Sequence, residues 1–278
     1  MSKKSKAKTT AIVTVIDTLA SIEVSAAAPE PIFKGFEEAE AALEAATVVL
    51  ETSAPAVPAI EAPVDDRDFK VILASFPEAE VAKTIKTAES AIASRRLLEI
   101  AKNPENSNIL RTLKNANSSM ARRHAAMVML AANVDPQFVN RSLKDGEHYN
   151  VYAIGKFSDL VDALTGLAMK NAINIAVVRT LFNFKKAGLD FTTEMAKAAA
   201  SDKIRVEPKF RKHIISHTVS ASTAPTQSSS TLQALETLGI IRVTGMKGKH
   251  TYAVTNTPAA RALEALAMGA VAIEELAA

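Results

Sequence analysis

His213 and His217 stand four residues apart, and on a helix that spacing would set two imidazoles one turn apart, the geometry of a shared metal ion. The glutamate of a zinc-protease helix is missing between them and no third ligand stands out. The sequence therefore predicts a basic helix face there, with no metal and no other cofactor. Asp202, Glu207 and Lys209, around Ile204 and Val206, imitate the acidic pair and lysine of a magnesium nuclease. Pro208 has no N–H to give to the strand such a site needs, and Glu207-Pro208 is better explained as the start of a helix. Neither histidine is followed three residues on by the arginine of a recombinase, and only three tyrosines exist. There is no phosphate-binding glycine loop and no serine on a strained elbow. Cysteine is absent, which removes disulfides and thiolate metal sites. Enzyme chemistry is not expected.

What remains is hydrogen bonding and charge, concentrated in the stretch TQSSSTLQALETLGIIRVTGMKGKHTYAVT from Thr226 to Thr255. Ser228, Ser229 and Ser230 offer N-caps to a helix, and Leu232, Leu235 and Leu238 fall on one apolar stripe of it. Gly239 is placed to end that helix. Ile241 and Val243 then alternate with Arg242 and Thr244, Gly245 to Gly248 can close a hairpin, and Tyr252 and Val254 share a face of the return strand. Pro258 opens a last helix. Gln227, Ser228, Ser229, Ser230, Thr231 and Gln233 form a polar set able to hydrogen-bond base edges. Lys209, Arg211, Lys212, Arg242, Lys247, Lys249 and His250 are the candidate phosphate contacts. From Lys203 to Arg261 nine Lys/Arg residues face only Glu207 and Glu236, a local charge of +7.

Helix, hairpin with a basic tip, then helix resembles the winged helix-turn-helix superfamily, most closely in LQALETLGII and GKHTYAVT, and the resemblance covers roughly fifty residues. It implies a helix in the major groove of double-stranded DNA, a lysine-tipped wing on the phosphates and a role in transcription or replication control. The departure from the pattern is upstream: the best supporting helix starts at Pro208, and the serine- and threonine-rich run 218–227 is long for the turn between two such helices.

The elements that must position this set are mostly helical. Alanine is abundant, aromatics are few and tryptophan is absent, which suits closely packed thin helices. Pro77 opens a helix that Asn103-Pro104 closes; others span Met120 to Ala132, Asp135 to Asp145, Asn150 to Thr165 and Ile173 to Lys186, and Thr192 caps a short alanine-rich one. Gly166 and Gly188 supply stops. The expected fold is mainly α: a low-complexity arm at 1–68, an all-α multi-helix body at 69–202 and a C-terminal winged helix with its small β-hairpin at 203–278.

The arm carries −10 between Thr9 and Asp68 and the stretch from Phe69 onward carries +9, so an acidic spacer precedes a basic body and suggests a polyanionic partner. Lys3 to Lys8 followed by apolar residues resembles a secretory leader, but Asp17 and Glu23 fall where such a leader is uncharged, and a cytoplasmic chain with no membrane partner is expected. Leu263, Leu266, Val271 and Ile273 of the last helix could pair two chains into a homodimer. A phage or plasmid source would suit the pattern. The alternative is a structural or scaffolding protein, such as a phage virion-associated one, whose winged helix contacts protein.

Overall fold

The structure is a computed structural model that describes residues 66–102, 104–142, 148–245 and 250–269. The expected arm before residue 66, the wing-tip Lys247 and Lys249, and Val271 and Ile273 lie outside the described residues. Among these residues ten α-helices and a three-stranded sheet follow one another. The first five helices are α1 (Phe69–Ala74), α2 (Glu78–Lys102), α3 (Ser107–Met120), α4 (Arg123–Ala131) and α5 (Val151–Leu164). Next come α6 (Ala172–Lys186), β1 (Phe191–Thr192), α7 (Thr193–Ala200) and α8 (Pro208–Arg211). The chain then runs through α9 (Ala224–Thr237), β2 (Ile241–Thr244), β3 (Thr251–Val254) and α10 (Pro258–Met268).

Local chemistry sets most of these boundaries. Asn106, Asn150, Asn171, Thr192 and Thr257 each accept from a backbone N–H one turn in, capping α3, α5, α6, α7 and α10. Gly239 has φ of +64°, a conformation costly for any other residue, and turns α9 directly into β2. The strands pair antiparallel in the order β1-β3-β2, with Ile241 opposite Val254 and Val243 opposite Tyr252. The two-residue β1 was absent from the expected elements; at Phe191–Thr192 it is too short to leave a period.

Two expected helices differ, and one helix was not expected. Asp135 to Asp145 holds only a 3₁₀ turn at Phe138–Asn140 among the described residues, with the Asp135 carboxylate accepting from the Gln137 N–H at 2.9 Å. Ser107–Met120 is helical although its asparagines and serines disguise it; Ile109, Leu113, Ala116 and Met120 supply the stripe that packs on α2 and α5. The last helix ends at Met268, and its Leu263 is sealed in the core of its own chain, with α10 lying on α5 and α6. Of the residues expected to pair two chains, Leu263 is thus turned inward and Leu266 is half-buried.

One apolar core runs unbroken from Phe69 to Leu263, so no core boundary falls at residue 202. Arg95 is 3% exposed within this core, while its neighbour Arg96 is exposed. Its Nε donates to Glu99 at 2.8 Å, and its guanidinium also donates to the carbonyls of Val139 and Tyr149 (the latter at 2.7 Å). It thus ties α2 to the 3₁₀ turn and to the residue before the cap of α5. Arg95→Met is expected to destabilise the chain by about 3–5 kcal/mol in urea unfolding, because two buried carbonyls lose their donor; a loss below about 1 kcal/mol would show that the clamp is not needed.

Candidate nucleic-acid interface

The polar set of α9 was expected at the open start of a helix. Instead the helix begins four residues before the first serine, at Ala224, with Pro225 in its first turn and Thr223 at its N-cap. The three serines therefore fall in its interior. Ser228, Ser230 and Thr231 are each 0% exposed, and so cannot reach a base edge. Each hydroxyl is instead satisfied by the preceding turn: Ser228 Oγ donates to the Pro225 carbonyl (3.1 Å) and Ser230 Oγ to the Thr226 carbonyl (2.8 Å). Thr231 Oγ1 lies 3.2 Å from the Gln227 carbonyl and 2.9 Å from Asn174 Oδ1 of α6. A serine with its hydroxyl folded back on its own helix acts as a small residue. Together with Ala224 and Ala234, these side chains let α5 and the alanine-rich α7 approach closely on two sides.

The α5 side adds a latch. Asn150 Nδ2 donates to Ser230 Oγ at 3.1 Å, the Asn150 N–H donates to Gln233 Oε1 at 3.3 Å, and Tyr149 and Thr237 share a hydroxyl hydrogen bond of 3.0 Å. Of the six candidate base-reading residues, Ser229 alone is exposed, and Gln227 and Gln233 are half-buried. Ser229 and Gln233 line a shallow pocket with Glu236, an anionic neighbour unsuited to DNA. His250 lines it too, its Nδ1 buried without a hydrogen-bond partner.

The cations are elsewhere. Between α7 and α9 the chain makes a long excursion, residues 201–219, held down like a strap. The His217 N–H donates to the Ala199 carbonyl (2.8 Å), the Asp202 N–H to the His217 carbonyl (2.9 Å), and Ser201 Oγ to the Val219 carbonyl (2.6 Å). On the α6 side the Ile215 N–H donates to Thr180 Oγ1 (3.0 Å) and Asn183 Nδ2 to the His213 carbonyl (3.2 Å). Ile204, Val206, Phe210 and Ile214 turn inward onto the core, and a file of rings from Phe210 through Phe184 and Phe191 to Tyr252 links the strap to the sheet.

Lys203, Arg205, Lys209, Arg211 and Lys212 are all exposed, with Glu207 the one acid among them, paired to Lys209 at 2.8 Å. Lys209, Arg211 and Lys212 were candidates; Lys203 and Arg205 were overlooked, although the local basic surplus contained them. Arg242 is exposed on β2. Because α8 ends at Arg211, His213 and His217 do not share a helical face, and the metal-like spacing has no geometric meaning. No cluster of metal-binding side chains occurs among the described residues, and no described helix is long and apolar enough to cross a membrane. Elsewhere on the helices, Arg122 and Arg123 are engaged by Asp162 and Glu78, and Lys185 by Glu264.

Comparison with protein-family models, curated proteins and solved structures finds no match for this chain.

Burial pushes the Tyr149 hydroxyl up to about 12, the Thr237 hydrogen bond opposing only in part. Its folded value stands above the unfolded one, so its contribution to stability is complete below about pH 10 and is lost as pH rises towards 12. Tyr149→Phe, compared with the parent chain by denaturant unfolding, is expected to remove this alkaline loss; an identical pH profile in the two proteins would place Tyr149 in a solvated setting.

Proposed function

We propose that residues 172–254 form a winged-helix unit built into the helical body, and that the chain binds duplex DNA chiefly through backbone phosphates, with the strap as main contact. The build is supported by the order of elements: α6, β1, α7, α9, β2 and β3, with sheet order β1-β3-β2 and α7 as supporting helix, is the order of a winged helix. On this reading the supporting helix lies upstream of the Pro208 start expected from the sequence, and the strap is a long insertion before the third helix.

The observation that carries the DNA-binding reading is the strap itself: five exposed cations and one acid within ten residues, on backbone stapled to two helices. Fixed cations release counterions when they meet phosphates, and phosphate contacts position a protein without reading sequence. Choice among sequences would need base contacts, and with Ser228, Ser230 and Thr231 sealed the proposal is confined to sequence-tolerant binding. The second reading, a scaffolding protein using this unit for protein contact, is favoured by one fact: the face of α9 that would enter a groove is already latched to α5.

Fluorescence anisotropy with a labelled duplex between about 50 and 200 mM salt tests the choice. Affinity is expected to fall steeply with salt, and replacing Lys209, Arg211 and Lys212 together by alanine should lower the log–log slope by about 3. Ser228→Ala should leave affinity unchanged. Absent binding at low salt, or a slope indifferent to the triple substitution, favours protein contact instead.

A further inference from the structure

A pocket of about 340 Å³ lies between α3, α5, the cap of α6 and the first turn of α9, lined in part by Asn115, Ser119, Tyr152, Lys156, Asn171 and Gln227. Every polar side chain in its wall is neutral except Lys156, which is only 5% exposed. The Lys156 ammonium donates to Asn171 Oδ1 at 2.7 Å and has no second hydrogen-bond partner among the described residues. An ammonium carries three donors, so two are unused. Asn171 Oδ1 is already shared with the N–H groups of Ile173 and Asn174, as the cap of α6.

The neighbouring acid does not complete the set. Asp159 Oδ1 accepts from the Lys170 and Asn171 N–H groups (2.7 and 3.1 Å), and its Oδ2 accepts from Asn174 Nδ2 (2.8 Å). Asp159 makes no ion pair with Lys156 within contact distance. A largely desolvated ammonium without an ion-pair partner is costly unless something else supplies acceptors. Burial pulls Lys156 down to about 8, with Asp159 opposing, so it is still mostly charged at neutral pH.

We infer that this pocket binds a small phosphorylated molecule, its phosphate oxygens accepting from Lys156, with the amides of Asn115 and Gln227 and the Ser119 hydroxyl in the same wall. Phosphate offers several acceptor oxygens to one ammonium and a ring of neutral donors, and the volume falls at the low end of small-molecule sites, leaving room for an organic group beyond the phosphate. The site is independent of the strap. Its wall joins Lys156 of α5, the α6 cap Asn171 and Gln227 of α9, so an occupant would brace α9 against α5 and α6.

Calorimetric titration of the full chain with inorganic phosphate, glycerol phosphate and acetate tests this. Saturable one-to-one binding is expected for both phosphates, tighter for the ester, at least tenfold weaker in Lys156→Met and unchanged in Lys212→Ala. In the unsubstituted chain the Lys156 side-chain nitrogen resonance should shift on adding phosphate, a readout that does not depend on the variant folding. Acetate binding as tight as phosphate, full binding by a folded Lys156→Met, loss in Lys212→Ala instead, or a Lys156 resonance indifferent to phosphate would each overturn the assignment; the last would leave water as the pocket's occupant.

Discussion

A hydroxyl removed from water must find its hydrogen bond inside the protein, and in α9 that requirement governs everything around it. Ser228 and Ser230 bond back to their own helix, while Thr231 reaches Asn174 and thereby Asp159 and the cap of α6. Because these side chains are both small and satisfied, three helices can crowd α9: α5, α6 and α7. A larger or unsatisfied residue at any of these positions would hold at least one of them off. The serine run is thus a packing device, and the helix that looked open to a partner is enclosed by its neighbours.

From this follows a separation of roles. With α9 enclosed, the charge that could meet a polyanion has to be carried by something outside the packed helices, and the strap carries it. Its inward side chains, Ile204, Val206, Phe210 and Ile214, anchor it, while Lys203, Arg205, Lys209, Arg211 and Lys212 remain in solvent. Arg95 shows the opposite use of a cation. Buried with Glu99 and two carbonyls, it holds the segment that delivers Tyr149 and Asn150 to α9. The latch on α9 thus begins on α2, more than fifty residues upstream of Asn150 in the chain.

Much of the local structure was legible in the sequence because its causes are local. Gly166, Gly188 and Gly239 stop helices where expected, Thr192 and Thr257-Pro258 start them, and the hairpin register follows the alternation of Ile241, Val243, Tyr252 and Val254. The apolar circumference of Ile173 to Lys186 foretold a buried helix, and α6 is one. Where the reading failed, tertiary context outweighed local preference. Serines favour caps, but Pro225 is an equally good first-turn residue and moves the start of α9 upstream, turning three cap candidates into interior positions. The spacing of Ala224, Ser228, Thr231 and Leu235, small or apolar at one helical face, was the signal that could have revealed it. Nothing local distinguishes Arg95 from Arg96; only the carbonyls brought to it by distant segments do.

Amide hydrogen exchange across α9 tests the account most directly, followed in the free chain and with duplex DNA present. Amides from Ser230 to Leu235 are expected to exchange only on global unfolding, at the same rate whether or not DNA is bound, while protection on binding appears in the strap. Fast exchange through α9 in the free chain, slowed when DNA is added, would contradict the account and restore that helix as the surface that meets the duplex.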